Sequence, residues 1–182
     1  MLLTIFETIP DRRRWQWKVY KLEHVLLFSI LAILSWAFSY RKIHTFIKEH
    51  FDFLKKKFKL TWKKVPCYCT IRNIIQWTDP RELEKAFREY SKKMSDVNNE
   101  EYKFISLDWK TLRWSFDNFE DQKAIQVFSA LLMWENIILG HEEIEWQKTN
   151  EIPVAQDLVK NLWLKKCIYT WDAMHCQKKL LR

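Results

Sequence analysis

The sequence predicts an α+β protein of 182 residues, in which a helical N-terminal part is followed by a smaller α/β part. Apolar residues recur at three- and four-residue intervals as far as residue 94, which is typical of amphipathic helices. Residues 95–101 are polar and form a predicted linker, and short strand-like apolar runs follow it. We therefore predict two domains, residues 1–96 and residues 97–182.

The N-terminal part is predicted to contain five helices, within residues 1–20 and over residues 22–40, 43–54, 70–76 and 80–94. The second helix includes an apolar run over residues 25–38, which is short for a membrane span and typical of a buried helix. Asp79 can cap the fifth helix, with Pro80 at its first position and Glu82 completing a capping box.

The C-terminal part is predicted to contain four strands, over residues 102–107, 125–133, 137–144 and 167–170, and a helix that Pro153 opens before the last strand. A helical crossover allows the strands on either side of it to run parallel. Asp108 follows the first predicted strand and Asp172 follows the fourth. If these strands are neighbours, both carboxylates emerge at the same carboxyl edge of the sheet, where sites of α/β proteins form.

Two neighbouring carboxylates repel each other unless a cation lies between them. Hard oxygen ligands select Mg²⁺ or Mn²⁺, and a two-metal site of this kind activates a nucleophile in phosphodiester displacement. An aspartate after a strand is also commonly a turn residue or a helix cap. The pattern by itself leaves both interpretations open.

The positive charge of the chain is concentrated in its first part. The net charge is +8, and residues 1–100 carry 20 Lys and Arg against 11 Asp and Glu, whereas residues 101–182 carry 11 against 12. This asymmetry indicates a polyanionic partner, nucleic acid first and a membrane surface second, although a solvated lysine-rich helical surface would also explain it. The basic residues that are candidates for DNA binding are Arg12, Arg13, Arg14, Lys55, Lys56 and Lys57.

The cysteines give no sign of a metal site or of secretion. Cys67 and Cys69 have C-x-C spacing, and no His/Cys pair at zinc-finger spacing accompanies them. We expect reduced thiols and, since no secretory signal is apparent, a cytoplasmic location.

Five sequence blocks, which follow one another along nearly the whole chain, match a pattern known from other proteins. They are DRRRWQWKVYKLEHVLLFSILAILSWAFSY, VPCYCTIRNIIQWTDPRELEKAF, LDWKTLRWS, KTNEIPVAQDLV and YTWDAMHCQK. Together they resemble the ISAs-type insertion-sequence transposases, a DDE group that includes the H-repeat-associated proteins. One block alone would be a weak match, but their order and intervals are specific.

The resemblance implies a partial RNase H-like catalytic core behind the helical N-terminal domain. It implies that Asp108 and Asp172 are the first and second catalytic aspartates and the ligands of Mg²⁺ or Mn²⁺, with two ions in the complete site. The expected partner is double-stranded DNA at transposon ends, with a homo-oligomer allowed and no membrane. The third carboxylate, a glutamate, would follow Asp172 at a distance, and we expect the chain, which ends at Arg182, to be truncated before it.

Further positions match the family blocks and have structural alternatives. They are Lys110, Arg113, Asn150, Glu151, His175 and Gln177. The two basic residues could meet DNA phosphates, or be solvated loop charges. The Asn–Glu pair could support catalysis or cap a helix. The His and Gln could support the second aspartate or touch DNA, and the His could equally be structural.

Three functions follow from these observations. The first is a transposase that hydrolyses and rejoins DNA at transposon ends. The second is a catalytically inert fragment that binds DNA or inhibits a full-length transposase. The third, a membrane-surface protein, rests only on the lysines and aromatic residues.

The glycine and tryptophan contents are unusual. The chain has one Gly and eleven Trp, whereas about 13 Gly are expected at this length. Trp36, Trp109 and Trp114 stand where the family pattern has glycine. We hypothesise that most of the tryptophans are glycines encoded by a reassigned UGA codon. In this hypothesis Trp36 lies inside the second helix, and the residue after Asp108 needs close backbone approach or a positive φ. The alternative is a tryptophan-rich protein that stacks on DNA bases.

Overall fold

The computed structural model describes residues 1–95, 102–112, 125–144, 151–162 and 164–171, with no side-chain description for 143–144, 151–153 and 171. Within these residues the chain forms seven α-helices and a four-stranded mixed sheet, so the prediction of an α+β protein is confirmed. The chain divides into two compact units, Met1–Ala86 and Phe87–Arg182, and the division falls within the sixth helix.

The first unit contains the helices and a short 3-10 turn at Trp15–Trp17. The helices are α1 (Leu2–Phe6), α2 (Leu22–Leu34), α3 (Tyr40–Glu49), α4 (Phe51–Phe58), α5 (Tyr68–Trp77) and α6 (Pro80–Met94), of which the last continues into the second unit. Asp79 accepts a hydrogen bond from the Arg81 amide at 3.0 Å, which confirms it as the cap of α6.

Two predicted helices of the first unit differ from the structure. The predicted helix over 22–40 ends at Leu34, because the chain turns at Ser35 and Trp36. The predicted helix over 43–54 is two helices, α3 and α4, which meet at His50. Ser39 caps α3 by accepting a hydrogen bond from the Lys42 amide at 3.3 Å.

The core of the first unit is centred on α2, which packs against α1, α3 and α5. Val25, Phe28 and Ala32 of α2 are completely buried, as expected of a helix that is apolar on all sides. Trp62, from the segment after α4, is 2% exposed, and its ring contacts the rings of Tyr20 and Phe28. Aromatic side chains of this size bury about 150–250 Å² each, so these rings contribute much of the apolar burial of the unit.

The second unit contains the sheet. Its elements after α6 are β1 (Lys103–Thr111), β2 (Gln126–Leu132), β3 (Ile137–Ile144), α7 (Glu151–Lys160) and β4 (Cys167–Trp171). The strand order is β3-β2-β1-β4. β1 pairs antiparallel with β2 and parallel with β4, which confirms the predicted parallel pairing of the first and fourth strands. α7 begins two residues before Pro153, the residue predicted to open it.

One face of the sheet packs against α7. Ile105, Phe128 and Leu139 from the three antiparallel strands form a buried cluster with Leu158 of α7. The crossover through α7 therefore covers the apolar face and returns the chain to the free edge of β1, where β4 pairs.

The second half of α6 also packs against β3. The Ser91 hydroxyl donates a hydrogen bond to the Ile138 carbonyl at 2.7 Å, and Arg88 pairs with Glu142 at 2.6 Å. Gly140 makes room for this contact, because a Cβ atom there would lie 3.0 Å from Arg88 Nε. None of the helices in the described parts of the chain combines the length and the apolar character required to cross a membrane.

Candidate functional site

Asp108 lies inside β1 and not after its end, which corrects the sequence prediction. The strand continues to Thr111 because its backbone keeps pairing with β2, where Asp108 faces Ser129 and Lys110 faces Val127. Alternate side chains of a strand point to opposite faces, and Ile105 and Leu107 point into the α7 core. The Asp108 carboxylate therefore lies on the opposite face, and 57% of its side chain is exposed.

Lys110 lies on the same face as Asp108, two residues further along β1. Its Nζ is 3.5 Å from Asp108 Oδ2, and its side chain is 74% exposed. An ion pair this open to water contributes little to stability. The pair instead provides a carboxylate and an ammonium group side by side on an accessible surface of the sheet.

The parallel register of β1 and β4 links Asp108 to the second predicted aspartate. Ser106 pairs with Thr170, and Leu107 pairs with Trp171. Asp108 is the next residue of β1, and Asp172 is the next residue of the chain after Trp171. Asp172 itself lies outside the described residues.

Four other predicted site residues also lie outside the described parts of the chain; these are Arg113, Asn150, His175 and Gln177. Glu151 is the first residue of α7. That position suits an acidic residue, because the positive end of the helix dipole lies there. A structural explanation for Glu151 therefore stands alongside the catalytic one.

The described residues supply fewer metal-ligand side chains than a divalent cation needs. Among these residues there is no group of three or more His, Cys, Asp or Glu that could hold a metal ion. The Asp108 carboxylate is accessible, and its oxygens are the hard ligands that Mg²⁺ and Mn²⁺ prefer. The described part of the chain thus fits such an ion through one ligand, and a complete site needs further carboxylates.

The arginines of the N-terminal basic cluster differ in their surroundings. Arg13 is buried, and it donates hydrogen bonds to both carboxylate oxygens of Asp11, at 2.8 and 2.6 Å. It also donates to the backbone carbonyls of Trp17 and Tyr20. Arg12 and Arg14 are exposed. The geometry gives Arg13 a role in holding the loop, whereas its two neighbours face solvent.

The Asp11–Arg13 pair perturbs the titration of the carboxyl group. Burial raises the pKa of Asp11, but the hydrogen bonds from Arg13 and its positive charge outweigh burial and hold that pKa below its ordinary value. Asp11 is therefore ionised at neutral pH, and its charge keeps the guanidinium in place.

Lys55, Lys56 and Lys57 are exposed in the last turn of α4. Positive charge there complements the helix dipole, which is the structural alternative to DNA binding. The sequence contains no acidic residue between Asp52 and Asp79, so Lys59, Lys63 and Lys64 continue the same basic stretch. These three lysines are exposed as well. Sequence reasoning did not include these three among the candidates for DNA binding, although the absence of acidic residues around them was a signal that could have identified them.

Comparison with known proteins finds relatives that are named putative transposases. The family model described as "DDE_Tnp_1-associated" matches residues 3–91. Over 98% of its length the chain is 33% identical to "H repeat-associated putative transposase YhhI", 31% to "Putative transposase YncI" and 32% to "H repeat-associated putative transposase YbfD", all from Escherichia coli K12. No solved structure matches the chain.

The chain spans 46% of the length of YhhI, 71% of YncI and 69% of YbfD. The resemblance predicted from the sequence blocks is confirmed by these matches, which extend over nearly the whole chain. The protein belongs to the H repeat-associated family of the DDE transposase group.

Proposed function

We propose that this chain acts in the transposition of an insertion sequence, as a DNA transposase that cuts and rejoins phosphodiester bonds at transposon ends. The observation that carries the proposal is the position of Asp108, an exposed carboxylate on β1 beside the parallel strand that leads directly to Asp172. The transposase names of the relatives support the same function.

The proposed metal site extends the observed register by one residue. Leu107 pairs with Trp171, and Asp108 and Asp172 are the residues that follow this pair in the sequence. Strands in a sheet lie about 4.8 Å apart, which is close enough for two carboxylates to share a cation. When bound, Mg²⁺ or Mn²⁺ would supply an activated nucleophile and stabilise the leaving oxygen.

The proposal includes an RNase H-like core. Its support is the order of the elements, in which three antiparallel strands are followed by α7 and then by β4, parallel to β1. Among the described residues, Asp108 and Lys110 lie on the face of β1 opposite α7, where both side chains are exposed. Asp108 would hold the metal, and Lys110 would bind a phosphate of the DNA beside it.

We further propose that residues 1–96 form the domain that binds duplex DNA, mainly through phosphates. The exposed lysines between Asp52 and Asp79 would be its centre, because no acidic side chain interrupts them. Phosphate contacts of this kind are independent of base sequence and strongly dependent on salt.

A second function has support of its own. Among the described residues Asp108 is the single carboxylate assigned to the metal, whereas the basic stretch of the first unit is fully described. A protein that binds transposon ends without cutting them would need only the second feature. It would occupy the ends and inhibit a catalytically complete transposase.

Metal titration of the full chain tests the proposed site without requiring DNA cleavage. Isothermal titration with Mn²⁺ is expected to show binding that Asp108→Asn weakens by about ten-fold or more. Asp52→Asn, which removes an exposed carboxylate from α4, is the matched control and should bind as the parent chain does. Equal Mn²⁺ affinity of the parent and the Asp108→Asn variant would refute the site, provided that both proteins unfold at the same urea concentration.

A further inference from the structure

Trp36 has a backbone conformation that does not suit a tryptophan. Its φ is 65°, in the left-handed region, and it lies directly after Ser35, the C-terminal cap of α2. The Trp36 amide donates to the Ile33 carbonyl at 3.0 Å, and the Ala37 amide donates to the Ala32 carbonyl at 2.9 Å. These two bonds define the Schellman motif, in which the residue at the position of Trp36 is most often glycine.

The preference for glycine has a steric cause. A left-handed residue with a Cβ atom brings that atom close to the following carbonyl oxygen, and glycine avoids this contact. The turn itself is well supported by packing, since Ala32 and Ala37 are both buried. The backbone thus requires a left-handed residue at position 36 whatever its side chain.

The tryptophan side chain gains little in return at this position. Trp36 is 78% exposed, and its ring contacts the ring of Phe38, a residue that is 66% exposed. Trp62 is the opposite case, because it is 2% exposed and packs between Tyr20 and Phe28. Trp62 behaves as a core residue, whereas Trp36 places a large apolar ring in water.

A positive φ alone does not identify a glycine in this protein. Lys59, Asn136 and Lys166 also have positive φ values. Asparagine tolerates this conformation well, and a lysine side chain can extend into solvent at no hydrophobic cost. Trp36 has neither advantage, and it occurs in a chain with one Gly and eleven Trp. The two residue types together number 12, close to the glycine content of about 13 expected at this length.

We propose that residue 36 is glycine in the protein that the cell makes, encoded by a UGA codon that the cell reads as glycine, and that Trp62 is a true tryptophan encoded by UGG. UGA is a stop codon in the standard code, tryptophan in some bacterial codes and glycine in others. Translating such a UGA codon as tryptophan would explain both the low Gly and high Trp content and the tryptophan at the left-handed position 36.

The structure corrects two details of the codon hypothesis as the sequence suggested it. Trp36 follows α2 and does not lie inside it, so this position is informative and not neutral. Trp109 lies within β1 and is not among the positive-φ residues, and its ring packs on Phe128 at 5.6 Å between centroids. The conformational argument therefore applies to residue 36 and does not extend to residue 109.

The codons and the native protein test the proposal directly. The gene should carry UGA at codon 36 and UGG at codon 62. The tryptic peptide of residues 22–41, isolated from the organism that expresses the protein, should have the mass of the glycine form, and the peptide of residues 60–63 should have that of the tryptophan form. UGG at codon 36, or tryptophan in the first peptide, would overturn the proposal.

A stability comparison tests the physical argument separately. In the full chain, Trp36→Gly should shift the unfolding equilibrium toward the folded state by roughly two- to ten-fold, because the left-handed penalty disappears and only the added freedom of the unfolded chain opposes it. Trp36→Ala keeps the Cβ atom and should gain less. Trp62→Gly should strongly favour unfolding. A Trp36→Gly protein no more stable than Trp36→Ala would contradict the argument, and neither outcome depends on DNA or metal binding.

Discussion

The paired side chains of Asp11 and Arg13 stabilise the loop between α1 and the 3-10 turn. The Arg13 side chain is 4% exposed and that of Asp11 is 20% exposed, so the pair is largely shielded from water. Arg13 also closes the loop by donating to the carbonyls of Trp17 and Tyr20. Hydrogen bonds to charged groups contribute about 1.5–3 kcal/mol each, and removal of either partner leaves the other desolvated.

We expect Asp11→Asn to destabilise the protein at pH 7 and to have a smaller effect under acidic conditions. The folded-state pKa of Asp11 lies below its ordinary value of 3.8. Its charge therefore stabilises the fold above that value, and this contribution is lost as the pH falls through the lower, folded-state pKa. Urea unfolding of both proteins at neutral pH and at about pH 3 measures the difference.

Arg13→Ala is the control background for this prediction. Without the guanidinium, Asp11→Asn should cost little at either pH, because the two residues act as one pair. An Asp11→Asn effect that is the same at both pH values would show that the carboxylate charge does not stabilise the loop.

At the scale of elements, the helix boundaries show where sequence patterns stop being informative. Ile43, Ile47 and Leu54 are buried and keep a helical spacing through His50, so the periodicity predicted one helix where α3 and α4 are two. Similarly, Ala37 is buried after α2 has ended, and the apolar pattern therefore continued past Leu34. In both cases the spacing of apolar residues reflects burial, so a turn whose residues stay buried does not interrupt that spacing.

The packing of α6 on β3 leads to a prediction about Gly140. Gly140→Ala should lower the free energy of unfolding by about 1 kcal/mol, because the new Cβ atom would meet Arg88 Nε and displace the guanidinium from Glu142. Thermal or urea unfolding of the two proteins measures this cost. In an Arg88→Ala background the obstacle is gone, and the same substitution should cost clearly less. An equal cost in both backgrounds would mean that Arg88 is not the reason for glycine here.

The lysines at the end of α4 lead to a prediction about DNA affinity. Replacing Lys55, Lys56 and Lys57 by Gln should weaken duplex binding and reduce the slope of log affinity against log salt by about 0.9 for each phosphate that is no longer neutralised. Fluorescence anisotropy over a range of salt concentrations measures both quantities. The control replaces Lys160, Lys165 and Lys166, exposed residues outside the proposed DNA-binding domain, and changes the net charge equally. Equal effects of the two triple substitutions would mean that net charge, and not this stretch, determines binding.

At the scale of the whole molecule, the sequence was sufficient for the order of elements and the pairing of β1 with β4. These follow from local periodicity and from the crossover rule, which the α7 connection obeys. The position of Asp108 inside β1 depends on pairing with β2, and the burial of Arg13 depends on Asp11 and two distant carbonyls. A single sequence contains little information about long-range contacts of this kind. The family blocks therefore singled out Asp108 as a candidate site residue but did not predict its position in the strand or its neighbours.

The basic stretch and Asp108 fall in different units of the chain, which leads to a last prediction. Metal binding and DNA binding should be weakened separately, each by its own substitution, in the full chain. Asp108→Asn should weaken Mn²⁺ binding and leave duplex binding in metal-free buffer unchanged, because the proposed phosphate contacts are made by lysines and not by this carboxylate. The variant in which Gln replaces Lys55, Lys56 and Lys57 should bind duplex DNA more weakly and bind Mn²⁺ as the parent chain does.

The combined variant should show both defects at their single-variant size, since effects at independent sites add to within about 0.5 kcal/mol. Mn²⁺ titration and DNA anisotropy are measured on the parent chain, the Asp108→Asn variant, the triple lysine variant and the combined variant. Asp108→Asn that weakens duplex binding without metal would place Asp108 in the DNA-binding surface. It would thereby contradict the proposal that the basic stretch holds DNA and the sheet holds the metal.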